Sequence, residues 1–167
     1  MQTYNVGDTV VHWAYGAGVI VAVAEKGFPG HPCSYYVIEG SHQTLWVPVE
    51  EYGSSSLHLP TPRSDFKLLL NILRSQGEKM SNNTYQRQAQ LEKRMQKASP
   101  QELCLVIRDL SCLSQIEKLS RNDVWVLKHA QSSLLDEWQL SLGTSREDAL
   151  VEMEWILKET PASVKTL

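Results

Sequence analysis

The sequence predicts an α+β fold: a small SH3- or Tudor-like β-barrel at the N-terminus, then an all-α C-terminal domain of about five helices. Three observations predict it. Up to about Leu59, apolar residues come in short β-branched runs separated by glycine-containing turns. Leu59-Pro60-Thr61-Pro62 then interrupts the pattern. Beyond it, apolar residues recur at three- and four-residue spacing behind helix-cap signals. The expected division is residues 1–61 for the β domain and 62–167 for the helical one.

Val6-Gly7-Asp8-Thr9-Val10-Val11-His12 reads as a first strand, with a turn around Gly16-Ala17-Gly18. Val19 to Ala24 is a second strand, and Gly27 to Pro32 holds two glycines and two prolines, which predicts a loop. Tyr35-Tyr36-Val37-Ile38 is a third. Gln43-Thr44-Leu45-Trp46-Val47-Pro48-Val49 is a fourth, in which alternation puts Leu45, Val47 and Val49 on one face and Trp46 and Pro48 on the other. Proline cannot donate to a ladder, so this strand is expected at a sheet edge. Trp46 then either packs on a neighbouring loop or the helical half, or offers an anchor to a partner.

Ser64 is positioned to cap a helix over 65–74 that Gly77 ends. Asn83, with Gln86 three residues on, predicts a capping box for a helix reaching about Lys97. Ser99-Pro100-Gln101-Glu102 opens a third helix striped by Leu103, Val106, Ile107, Leu110 and Leu113. Ser120 with Asp123 opens a fourth, ended by Gly143, and Thr144-Ser145-Arg146-Glu147 starts the last. Trp125, Trp138 and Trp155 fall in these helices; core packing is their default, a partner surface the alternative.

Composition narrows function more than it reveals it. The chain has 167 residues, 42% hydrophobic and 21% charged, which suits globular domains. No apolar run is long enough to span a bilayer and no leader pattern is visible, so a cytoplasmic location is expected. The net charge is −3, whereas a stand-alone DNA binder carries a basic excess. Either the chain does not touch DNA, or another protein brings it there. The 3 cysteines, Cys33, Cys104 and Cys112, form no CxxC pair and read as reduced thiols, two of them in helix packing. None of the 5 histidines pairs with a second ligand at helical spacing, so no metal and no cofactor is expected. Nucleophile-elbow, P-loop, zincin and dinucleotide signatures are absent, and no enzyme activity is expected.

The strand run Val6-Gly7-Asp8-Thr9-Val10-Val11, then Tyr15-Gly16-Ala17-Gly18-Val19, Tyr35-Tyr36-Val37-Ile38 and Val47-Pro48-Val49-Glu50, resembles the polymerase-binding domain of CarD-type regulators. Transcription-repair coupling factor shares that module. The helical half, through Leu91-Glu92-Lys93, Val106-Ile107-Arg108-Asp109-Leu110, Leu119-Ser120 and Ser141 to Ala149, resembles the CarD/CdnL C-terminal domain in order and spacing. The resemblance implies that the barrel adds its edge strand to the RNA polymerase β subunit, with Lys26, Trp46, Val47 and Pro48 as contacts. Both Lys26 and Trp46 match positions usually basic in the family, and only Lys26 is basic here.

The resemblance further implies a weak, non-sequence-specific contact of the helical domain with promoter DNA through Asn83, Tyr85, Arg87 and Arg94. The family's wedge tryptophan is matched here by Asn83, which reads more readily as a helix cap. Tyr85 replaces the wedge if the helix starts slightly differently; otherwise it is an ordinary surface tyrosine. Arg74, Lys79, Lys93 and Lys97 either add phosphate contacts or form a solvated face. The implied activity is regulation of promoter open-complex stability. The alternative is a polymerase-binding adaptor that lacks the wedge and recruits another protein. A monomer is expected, with a dimer through the barrel edge as the open alternative.

Overall fold

A computed structural model of the chain describes residues 3–28, 31–49, 56–97 and 99–160. Five strands precede five helices among them. The strands are β1 (Thr9–His12), β2 (Gly16–Phe28), β3 (His31–Gly40), β4 (Thr44–Pro48) and β5 (Leu57–His58). They form one antiparallel sheet in the order β4-β3-β2-β1-β5, a small Tudor-like β domain. Its core is Tyr4, Val10, Ile20, Tyr36, Ile38, Val47 and Leu57. A register shift between Ile20 and Ala22 bends β2, so one long strand pairs with β1 at its start and with β3 along its length.

Two loop expectations are corrected. The β1–β2 turn is Trp13–Tyr15, and Gly16 and Gly18 already belong to β2. Gly16, at φ 78, takes the left-handed conformation that closes such a three-residue loop. The expected loop over 27–32 is largely strand: β2 continues to Phe28 and β3 starts at His31, where the two ends pair. Backbone pairing across the hairpin outweighs the local glycine and proline signals. Pro29, Gly30 and Glu50 lie outside the described residues.

The helices are α1 (Arg63–Arg74), α2 (Thr84–Gln96), α3 (Pro100–Ser114), α4 (Arg121–Leu142) and α5 (Arg146–Glu159). Serine caps hold α3, α4 and α5: the hydroxyls of Ser99, Ser120 and Ser145 accept from the amides of Glu102, Asp123 and Asp148. Only at α4 does the third residue answer, with Asp123 accepting from the Ser120 amide to complete a capping box. Gly143 ends α4 at φ 70. Ser64 is not a cap. It lies inside the first turn of α1, which starts from Pro62, and its hydroxyl donates to Asp65. α3 packs on α1, α2 and α4, and α5 packs on α4 and α1. Phe66, Leu91, Ile107, Leu134, Trp138 and Met153 meet in the shared core, each large side chain contributing about 1.5–3 kcal/mol of apolar burial.

A buried carboxylate helps to fasten the sheet to the helices. Glu137 on α4 is fully buried. Its Oε1 accepts from the Thr61 amide and hydroxyl, both at 2.6 Å, and its Oε2 from His58 Nε2 at 2.8 Å. Burial alone would push this carboxyl up, but the bonds from His58 and Thr61 outweigh it and hold the carboxyl below the ordinary carboxylate range. Trp13, from the β1–β2 turn, packs against the helical core, and Ser133 Oγ donates to its carbonyl at 3.3 Å. Cys104 and Cys112 are buried in α3 and Cys33 is exposed, all as free thiols; burial raises the Cys104 thiol to about 12.

Candidate docking edge and helical surface

Among the described residues, β4 has a strand partner on one side only, β3, and is the terminal strand of the sheet. Its register determines what the other side displays. Val49 N donates to Ser34 O at 2.8 Å, and Gly40 N to Gln43 O at 2.9 Å. With Tyr36 opposite Val47 and Ile38 opposite Leu45, the bonded pairs therefore run through Leu45, Val47 and Val49. The backbone groups of Thr44, Trp46 and Pro48 point away from the sheet. Pro48 stands where its missing N–H would have faced outward, so it costs the ladder nothing.

The side chains follow the expected alternation. Val47 is buried in the sheet core, with Leu45 and Val49 packed beside it. Trp46 is 45% exposed. Its ring meets Tyr35 edge-on at 6.3 Å, and Lys26 Nζ lies 4.5 Å from its centre, a cation–π distance. Trp46 lies exposed on a sheet surface with Lys26, Tyr35 and Pro48. Lys26, Trp46 and Pro48 are thus brought together at the edge. Val47 is not: its side chain is internal and its backbone is taken by β3.

The four helical candidates separate. Asn83 caps α2, its Oδ1 accepting from Tyr85 N at 2.9 Å and Gln86 N at 3.1 Å. The expected box does not close, because the Gln86 side chain accepts from Ser81 Oγ instead. Tyr85 stands 87% exposed on the first turn. Arg87, expected on the surface, is 3% exposed. Its Nε and NH2 donate to Asp123 (2.8 Å at the shortest), and NH1 donates to Ser81 O at 2.7 Å. Arg94 is half-turned inward, 2.8 Å from Asp109 and 3.7 Å from Glu78. Lys97 pairs with Glu102 at 2.6 Å and Arg74 with Glu152 at 3.9 Å. Lys79 and Lys93 make no ion pair among the described residues. The basic row read from the sequence is thus largely neutralised within the chain.

Core packing was the default for three tryptophans, and only Trp138 obeys it. Trp125 and Trp155 are 62% and 54% exposed. The signal was legible in the stripe Val126, Ala130, Leu134, Trp138, which α4 buries at four-residue spacing and which leaves position 125 roughly 100° off that face. Among the described residues, no group of three or more His, Cys, Asp or Glu could hold a metal ion. No helix among them is long and apolar enough to cross a membrane.

Comparison with known proteins agrees with this architecture. Residues 4–54 match the family described as CarD-like/TRCF RID domain, and residues 68–154 match CarD, C-terminal domain. The chain is also 25% identical over 146 residues to a Bacillus subtilis (strain 168) protein whose name reads "Putative transcription factor YdeB", covering 86% of this chain and 95% of that one.

Proposed function

The chain belongs to the CarD family, a transcription-factor family rather than an enzyme family, and from that premise we propose that it regulates transcription by docking β4 on the RNA polymerase β subunit. The open β4 edge carries this reading. Trp46 offers an outward N–H and C=O to an incoming strand, and its ring, held between Tyr35 and Lys26, is a rigid anchor beside them. Main-chain bonds supply affinity and the Trp46–Lys26 pair supplies selectivity. The helical domain, brought to promoter DNA by the docked sheet, touches it weakly through Tyr85 and Asn83 at the tip of α2 and steadies the open complex. Tethering at a millimolar-scale effective concentration makes a net charge of −3 compatible with such contact.

The enclosure of Arg87 and the pairing of Arg94 favour a second reading, an adaptor that binds polymerase without a DNA wedge. Binding to the isolated β lobe and open-promoter lifetime separate the two. Trp46→Ala weakens lobe binding by about 2 kcal/mol, roughly thirtyfold in Kd. Trp46→Pro weakens it further by deleting the outward donor. Tyr85→Ala leaves lobe binding intact and shortens open-promoter lifetime. Polymerase binding with no lifetime effect in the wild type selects the adaptor. Failure of immobilised protein to retain either polymerase or its β lobe refutes both.

A further inference from the structure

We propose that the cleft between α2 and α4, beside Trp13, is a binding site for an arginine side chain of a protein partner. The cleft measures about 340 Å³, and its walls include Trp13, Met95 and Trp125, with Gln88, Glu92 and Asn122 among its polar groups. Three elements build it: the β1–β2 turn brings Trp13, α2 brings Gln88 and Glu92 one turn apart, and α4 brings Asn122 and Trp125. It does not include β4, so it stands apart from the proposed polymerase edge.

The chemistry of the lining selects the ligand. One face of Trp125 lies on His129, ring centres 5.1 Å apart and planes within 4°, which leaves the opposite face for a visitor. Trp125 is nevertheless mostly exposed, an uncommon state for so large an apolar side chain. Glu92 is exposed and makes no ion pair among the described residues. Among the described residues, no lysine or arginine lines the cleft. A planar guanidinium fits these terms: it stacks on an indole face, donates in pairs to a carboxylate and is weakly hydrated enough to be desolvated. A nucleic acid fits them poorly, because Glu92 repels phosphate and no lining cation offsets it.

The test uses the isotope-labelled full chain and follows the indole N–H signals of Trp13 and Trp125 by NMR. The probe is N-acetyl-arginine methylamide, with the neutral, nearly isosteric citrulline analogue and pentathymidylate as the other arms. The arginine probe shifts both indole signals saturably, and the citrulline probe binds at least about fivefold more weakly. Glu92→Gln brings the arginine probe to the citrulline level, and Trp125→Ala abolishes the remaining Trp13 shift. Equal response to arginine and citrulline overturns the proposal without any variant. So does a wild-type indole spectrum unmoved by arginine, unchanged arginine affinity in Glu92→Gln, or indole shifts produced by pentathymidylate alone.

Discussion

Replacing Arg87 with alanine tests whether this side chain is a structural strut or a surface cation. Arg87 and Asp123 are both buried, and the guanidinium meets the carboxylate through two nitrogens while a third bonds the Ser81 carbonyl. Deleting one partner of a buried ion pair costs about 3–5 kcal/mol, chiefly by stranding the other charge. Asp123 would keep the Ser120 amide and hydroxyl as donors, which places the loss near the lower end, about 3 kcal/mol. For a chain of this size that lowers Tm by roughly 6–12 °C. Urea unfolding of Arg87→Ala, Asp123→Ala and the double variant gives a coupling energy of about 2 kcal/mol or more. Burial pushes the Asp123 carboxyl up, but bonds from Arg87 and Ser120 win and hold it below its ordinary value. The stabilisation is therefore present above that ordinary value and is lost as pH falls through the folded one. A single-variant loss under 1 kcal/mol, the range of exposed pairs, refutes the strut and returns Arg87 to the surface.

Two further substitutions follow from the same geometry. Glu137→Gln costs about 2 kcal/mol at neutral pH. Because the folded Glu137 carboxyl sits below its ordinary range, the wild-type advantage is full above that range and shrinks as acid protonates the carboxylate; a difference between wild type and variant that urea unfolding finds constant from pH 7 to about pH 3 contradicts this. Gly18→Ala would place a Cβ 2.6 Å from Ile38 Cγ2 and 2.8 Å from the Glu39 carbonyl oxygen. A backbone oxygen cannot swing aside, so thermal unfolding should register a loss of about 1–3 kcal/mol, and an unchanged Tm would show that β2 and β3 can separate there.

What could be read from sequence was what depends on near neighbours. Asn83, Ser99, Ser120 and Gly143 act within a turn of their own helix, and all four stand where expected; α5 starts within the expected Thr144–Glu147 segment, with Ser145 as its cap. Alternation in β4 placed Trp46 outward and Val47 inward, and Pro48 identified the edge. Arg87 was misread because Asp123 lies 36 positions away and only the packing of α2 on α4 brings them together. Glu137 is hidden for the same reason: beside Asp136 it looks like half of an acidic surface pair until Thr61 and His58 arrive from far upstream. Local rules also erred where two applied at once. Ser64 suits a cap and Pro62 suits the preceding break, yet the helix starts directly after Pro62 and takes Ser64 into its first turn.

The Glu137 attachment changes what kind of object a docked protein would be. Only residues 59–62 separate β5 from α1, and a link that short would still let two bodies swivel. Thr61, in its middle, is gripped at amide and hydroxyl by a side chain of α4, so the joint behaves as a set square rather than a cord. Whatever seizes β4 thereby dictates the point in space that Tyr85 reaches. Loosening Glu137 would leave each end chemically intact while spoiling the angle between them.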